Sequence, residues 1–135
     1  MPSTTIYEFG DVVLVPFPLS EYRNLNKKRP AVVVSNDDYN VEAVVLSDTE
    51  HLDLIIVMGI TSVEGALGAV TLKQWREAGL LHPSYIKPAL ATIAQSRVIQ
   101  RLGKLSTVDK NQLKRALVRV LNLTPSPSAS PKQPS

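Results

Sequence analysis

Two valine-rich runs, held apart by a polar loop, constrain this chain more than any other feature. Val12-Val13-Leu14-Val15 is apolar at both alternating positions. A strand of that kind must be covered on both faces, so it belongs in a closed or doubly covered sheet. Gly10-Asp11 reads as the turn before it, and Pro16 and Pro18 stop it because proline cannot donate to a ladder. The expected strand runs from Val12 to Phe17. Arg29-Pro30 opens a second, Ala31 to Ser35. Between them, Leu19 to Lys28 is polar and charged without an apolar period, and long loops in compact domains are usually functional or disordered.

The later segments continue the pattern. Asn36-Asp37-Asp38 reads as a turn, Val41 to Leu46 as either a strand or a short helical turn, and Ser47 to Asp53 as a loop. Leu54 to Ile60 is a third strand, closed by Thr61-Ser62. Val63 to Gly68 reads as a hairpin connection and Ala69 to Leu72 as a short strand. Lys73 to Ala78 suits one or two helical turns stopped by Gly79. Pro83 and Pro88 bracket an extended stretch before a strand from Ala89 to Ala94, and Arg97 to Leu102 reads as a short strand or turn. Ser106-Thr107-Val108-Asp109 has the form of a capping box, with Asp in the place of the preferred Glu. Leu113, Ala116, Leu117, Val120 and Leu121 then recur at helical spacing, which predicts an amphipathic helix from Thr107 to Asn122. Strands followed by one helix, without βαβ alternation, point to an all-β barrel or α+β fold. Thr124 to Ser135 is rich in proline and serine and is expected to be a disordered tail, leaving one domain over residues 1–123.

Composition narrows the function classes. The absence of cysteine excludes disulfides and cysteine-ligated zinc. Met1 to Tyr7 has no apolar core of the secretory kind, and Leu54 to Ile60 is too short to span a bilayer, so a soluble cytoplasmic protein with no membrane contact is expected. The net charge of +3 is modest, but its placement is not even. Arg23, Lys27, Lys28 and Arg29 share one loop, and Lys110, Lys114, Arg115 and Arg119 lie near the C-terminus. Each set is either a solvated surface or a polyanion contact.

No phosphate-binding glycine loop, serine-nucleophile elbow or zinc-protease motif occurs. His51 in a polar loop and His82 before Pro83 read as surface histidines, and Asp37-Asp38 as turn chemistry. No metal site and no cofactor are expected. What remains is Arg29 at a strand start and Thr61 at a strand end. A guanidinium fork matches phosphate oxygens, and a hydroxyl can donate or accept. Together they could grip a phosphodiester; taken alone, Arg29 could equally form a surface ion pair.

Gly10-Asp11-Val12-Val13-Leu14-Val15-Pro16-Phe17-Pro18, then a polar loop, then Lys28-Arg29-Pro30-Ala31-Val32-Val33-Val34-Ser35 resembles the opening of MazF/PemK-type toxins. Ile60-Thr61-Ser62 is similar to the second motif of that family. Trp75-Arg76-Glu77-Ala78-Gly79-Leu80 with Pro83-Ser84-Tyr85 resembles a segment of its PemK-like branch. The resemblance spans Tyr7 to Leu123. It implies a mainly β fold, an SH3-like barrel of the PemK/CcdB toxin type with a C-terminal amphipathic helix, assembled as a homodimer. It also implies the toxin of a type II toxin–antitoxin system, a metal-independent endoribonuclease that cuts single-stranded RNA, mRNA above all, and is held by a cognate acidic antitoxin.

The family's catalytic arginine falls on Arg29 and its catalytic threonine on Thr61. Phe17, Ser20, Tyr22, Arg23, Lys27, Lys28 and Ser62 make up the expected RNA-binding set, the two aromatics by stacking on bases unless they pack into the fold instead. In the implied reaction the RNA's 2′-hydroxyl attacks its own phosphorus, leaving a 2′,3′-cyclic phosphate and a 5′-hydroxyl. Arg29 serves better as an electrostatic clamp than as a base, because a guanidinium does not release its proton. Asn24 and Asn26 stand where some members carry an acid, and the segment from Ser35 to Thr61 is longer than in the smallest members. Two rival classes share the barrel: a CcdB-like toxin that poisons gyrase, and an inactive barrel that binds RNA or a partner.

Overall fold

The computed structural model describes residues 5–16, 28–50, 53–65 and 68–123. The chain runs β1 (Asp11–Pro16), β2 (Lys28–Val33), α1 (Asp37–Glu50), β3 (Leu54–Thr61), β4 (Val70–Thr71), β5 (Tyr85–Ala94), β6 (Gln100–Lys104) and α2 (Thr107–Val120). The six strands form one antiparallel sheet in the order β4-β5-β3-β2-β1-β6, curled into a half-barrel. This is the mainly β architecture expected from the sequence. Among the described residues no helix is long and apolar enough to cross a membrane.

The two-faced character of β1 is realised as two cores. Val12 packs with Val32, Met58, Ile60, Leu72, Ile86, Leu113 and Ala116 on the side covered by α2. Val13 and Val15 pack with Ala31, Val33, Ile55, Val57 and Ile93 on the other. All three β1 valines are fully buried, and burying one such side chain is worth about 1.5–3 kcal/mol. The ladder Val12↔Val32, Val13↔Ala31, Leu14↔Pro30, Val15↔Arg29 extends β2 upstream to Lys28, earlier than Ala31.

Residues 36–50 depart most from the sequence reading. Asn36 to Asp38 is not a free turn: Asn36 Oδ1 accepts the Tyr39 N–H at 2.7 Å and so caps α1. The helix then runs through Val41 to Leu46 and through most of the expected loop from Ser47. Its anchor to the sheet is polar. Asn40, fully buried, accepts the Ser35 hydroxyl at 2.5 Å and donates to the Tyr7 carbonyl at 2.8 Å. Gln95 closes the circuit, donating to the Asn40 carbonyl and accepting the Tyr7 N–H, each at 3.2 Å. A helix held by a satisfied asparagine beside Ala43 carries no apolar stripe in its sequence.

Two irregularities shape the sheet near its cleft. Pro88 lies inside β5, which therefore begins at Tyr85 rather than Ala89. Met58 pairs with Leu90 but Ile60 pairs with Ile86, so β5 spends four residues where β3 spends two, and proline sits in that bulge. In β6, Leu102 is the extra residue between the pairs Val12↔Gly103 and Val13↔Arg101. Upstream of β6 the expected strand or turn divides into a single 3-10 turn, Gln95–Arg97, and the strand itself.

The segment from Lys73 to Ala78, expected as one or two helical turns stopped by Gly79, forms hydrogen-bonded turns that end at that glycine. Leu80 N–H bonds the Trp75 carbonyl at 3.1 Å and Gly79 N–H the Arg76 carbonyl at 3.0 Å, with Gly79 at φ +84°. That is the hydrogen-bond pattern of a Schellman cap, and Trp75 and Leu80 share the same core as its apolar partners. The turn presses against β6 so closely that a Cβ on Gly79 would meet the Leu102 carbonyl oxygen at 2.0 Å.

The helix α2 begins as expected, with Ser106 Oγ accepting the Asp109 N–H at 3.2 Å. The reciprocal half of a capping box is absent from these bonds. Asp109, fully buried, instead accepts the backbone N–H groups of Lys73 and Gln74, each at 2.9 Å.

Candidate active site

The bulge in β6, the glycine-capped turn and the open ends of β1, β2 and β3 enclose a cleft of about 530 Å³. Ile60 and Leu80, both nearly buried, and the half-buried Leu14 and Leu102 make it apolar inside. Its polar lining is Arg29, Thr61, Ser62, His82 and Ser84. Val63 and Leu81 lie beside them, 66% and 84% exposed. An apolar hollow with a few converging polar groups is the usual form of a ligand site.

Each polar group has a local reason for its place. Arg29 is the residue of β2 opposite Val15, one residue from the start of that strand. The last β2–β3 pair is Ala31↔Gly59, so Arg29 and Thr61 each lie two residues beyond it on neighbouring strands. Thr61 closes β3, and its Oγ1 accepts the Val63 N–H at 3.0 Å, which turns the chain at that end. His82 follows the glycine cap. Its carbonyl accepts the Ser84 hydroxyl at 2.7 Å, and the Ser84 carbonyl accepts the Leu72 N–H at 3.0 Å. The His82 backbone is thereby tied to the start of the β4–β5 pairing.

Of the site residues expected from sequence, Arg29, Thr61 and Ser62 are brought to one cleft. Lys28 is exposed at the start of β2, paired with Pro16, and does not line it. Phe17, Ser20, Tyr22, Arg23 and Lys27 lie outside the described residues. The second basic set is elsewhere: Lys110 and Lys114 line a hollow with Phe9, Asp37 and Asp38. His82 was not in the expected set. A histidine before a proline carries no sequence signal of a site, and its place depends on the turn that brings Gly79 against β6.

An ion-pair cluster away from the cleft shifts two side-chain pKa values. The hydrogen bond from Lys104, then its charge, holds the Glu8 carboxyl below its ordinary value. The same bond raises the Lys104 ammonium, with Asp11 adding to the effect. Asp11, buried, accepts Arg101 and lies 3.7 Å from the Lys104 ammonium. This cluster ties the Glu8–Asp11 turn to the β1–β6 pairing, with the Glu8 N–H donating to Asp11 Oδ2 at 2.8 Å. Among the described residues no group of three histidine or carboxylate side chains is placed to hold a metal ion.

Residues 8–121 match the sequence profile of the family described as PemK-like, MazF-like toxin of type II toxin–antitoxin system. The chain belongs to that family. The fold agrees. A MazF from Deinococcus radiodurans superposes with a TM-score of 0.64 at 20% identity, over 88% of this chain and 99% of that one. A MazE–MazF complex from the same organism gives 0.62 at 19%, over 88% and 98%. An endoribonuclease from a mycobacterial species, in complex with its cognate antitoxin, gives 0.61 at 14%, over 88% and 96%. No curated protein sequence matches this chain. In this MazF-like toxin the β2 start, the β3 end and the turn after Gly79 therefore build one cleft on a shared scaffold.

Proposed function

We propose that this toxin is a metal-independent endoribonuclease acting on single-stranded RNA, with Arg29 and Thr61 at its reactive centre. The observation that carries the reading is the meeting of Arg29 and Thr61, 32 positions apart in sequence by their numbers, in one cleft. The RNA's 2′-oxygen attacks the neighbouring phosphorus, the bond to the 5′-oxygen breaks, and a 2′,3′-cyclic phosphate and a 5′-hydroxyl result. Arg29 meets the negative charge that grows on the non-bridging oxygens, where a positioned donor acts most strongly. Thr61 and Ser62 position the phosphate, and the apolar interior keeps water from the reacting group. Lys28 supplies charge on the approach, with Arg23 and Lys27 upstream in sequence.

The toxin works as a homodimer and is restrained by an acidic antitoxin that competes with RNA around Lys28 and Arg29, where opposite charge speeds encounter. Light scattering at micromolar concentration and RNA–antitoxin competition test these two parts. The central test is incubation of the purified chain with long single-stranded RNA in EDTA, with end-group analysis. Cleavage to 5′-hydroxyl ends is the expected result; 5′-phosphate ends or an absolute need for Mg²⁺ overturns the reading.

A further inference from the structure

We infer that His82 is the proton-transfer group of this cleft. The inference rests on the ribonuclease reading above and adds to it the group that Arg29 and Thr61 leave missing. Attack by a 2′-hydroxyl requires that its proton be taken up, and departure of the 5′-oxygen requires that a proton be supplied. A guanidinium is a donor without an acceptor site, so Arg29 offers charge and hydrogen bonds rather than a base. Thr61 has a hydroxyl with no tendency to hold an extra proton, and its Oγ1 already accepts the Val63 N–H. Ser62 and Ser84 are hydroxyls of the same kind. Among the described residues lining the cleft, His82 is the one side chain of a type that both accepts and returns a proton in general acid–base catalysis.

The placement suits the task. The peptide of His82 is held by the Ser84 hydroxyl, and Ser84 itself is 5% exposed and bonded to Leu72. The backbone is fixed while the side chain is exposed to incoming substrate. Among the described residues, Arg29 is the charged side chain that shares the lining with it, arriving from β2. Arg29 is there to meet charge on the phosphate, which leaves the His82 ring nitrogens for proton transfer.

The proton balance is then complete within the cleft. A neutral ring nitrogen of His82 takes the proton of the 2′-hydroxyl as the 2′-oxygen bonds to phosphorus. The bond from phosphorus to the 5′-oxygen breaks, and the imidazolium returns that proton to the leaving oxygen. No water, metal or redox partner is consumed, and His82 ends the cycle neutral, as it began.

The experiment is cleavage of a long single-stranded RNA by the full chain in EDTA, from pH 5 to 9, for wild type, His82→Gln and His82→Ala. Wild-type kcat rises with pH to a plateau, as expected where a base must be unprotonated to act. His82→Gln loses that rise and about 10²-fold to 10⁴-fold in kcat. Its KM and its affinity for the all-deoxy oligonucleotide of the same sequence stay within a few-fold of wild type. Added imidazole restores part of the activity of His82→Ala in proportion to its concentration, a response that a merely structural role does not produce. If the wild type cuts and His82→Gln keeps its rate and its pH profile, the inference fails while the ribonuclease reading stands. If the wild type cuts no RNA, both fail together.

Discussion

The carboxylate of Asp109, in the first turn of α2, accepts the backbone N–H of Lys73 at 2.9 Å from 36 residues away. A second bond of equal length takes the N–H of Gln74. One buried side chain thus closes the start of the turn that ends at Gly79 and delivers Leu80, Leu81 and His82 to the cleft. An amide has one accepting oxygen where a carboxylate has two, so Asp109→Asn strands a backbone donor. The expected loss is about 1–3 kcal/mol of folding stability. Urea denaturation of the variant measures it, and an unchanged midpoint contradicts the arrangement.

Gly79 is the point where that turn meets β6. With φ at +84° and the Leu102 carbonyl oxygen 2.0 Å from any added Cβ, even alanine must push two backbone segments apart. Gly79→Ala should cost more than about 2 kcal/mol, since strained φ and overpacking act together. Gly65→Ala serves as the control, because its φ is +86° but nothing lies within 4 Å of the added carbon. Thermal melts that rank the two variants equally would show that close approach is not the cause.

Arg29 and Thr61 separate chemistry from folding. Arg29 is half-buried at a strand end, and Arg29→Ala should leave the thermal midpoint almost in place while lowering RNA cleavage about 10²-fold or more. Thr61→Val keeps the shape and removes the hydroxyl, releasing the Val63 N–H to solvent, so a smaller loss in rate is expected. Wild-type cleavage by Arg29→Ala would place the phosphate clamp elsewhere.

The Glu8–Lys104 pair gives a signed prediction on pH. Glu8 is depressed, so its contribution is whole above the unfolded carboxylate value of about 4.3 and is lost as pH falls through its lower folded value. Lys104 is raised, so its contribution is whole below about 10.4 and is lost as pH rises through its higher folded value. Both side chains are about half exposed, which keeps the effect small and sensitive to salt. Lys104→Met should return the Glu8 midpoint toward its ordinary value. An NMR titration of the Glu8 carboxyl carbon reads this directly, and a midpoint that does not move removes Lys104 as the cause.

Local pattern alone determined a good part of this protein. Consecutive valines at both parities can be buried only between two layers, so β1 and β2 and their doubly covered sheet follow from residues 12–15 and 31–33 themselves. The serine before α2 and the apolar spacing from Leu113 likewise act over a few residues, and so did Gly79 as a helical stop. The positions of Arg29 and Thr61 at strand ends were visible for the same reason. Tertiary structure decided the rest, because the partners are distant. The helix α1 was hidden since its anchor is Asn40, whose value lies in hydrogen bonds to Tyr7, Ser35 and Gln95 rather than in apolar periodicity. Pro88 sits within a strand because a bulge against β3 absorbs it. Asp109 looked like half of a local cap until its carboxylate was seen on Lys73 and Gln74. His82 entered the cleft through a glycine turn docked on β6, a contact between backbones that leaves no mark in side-chain pattern.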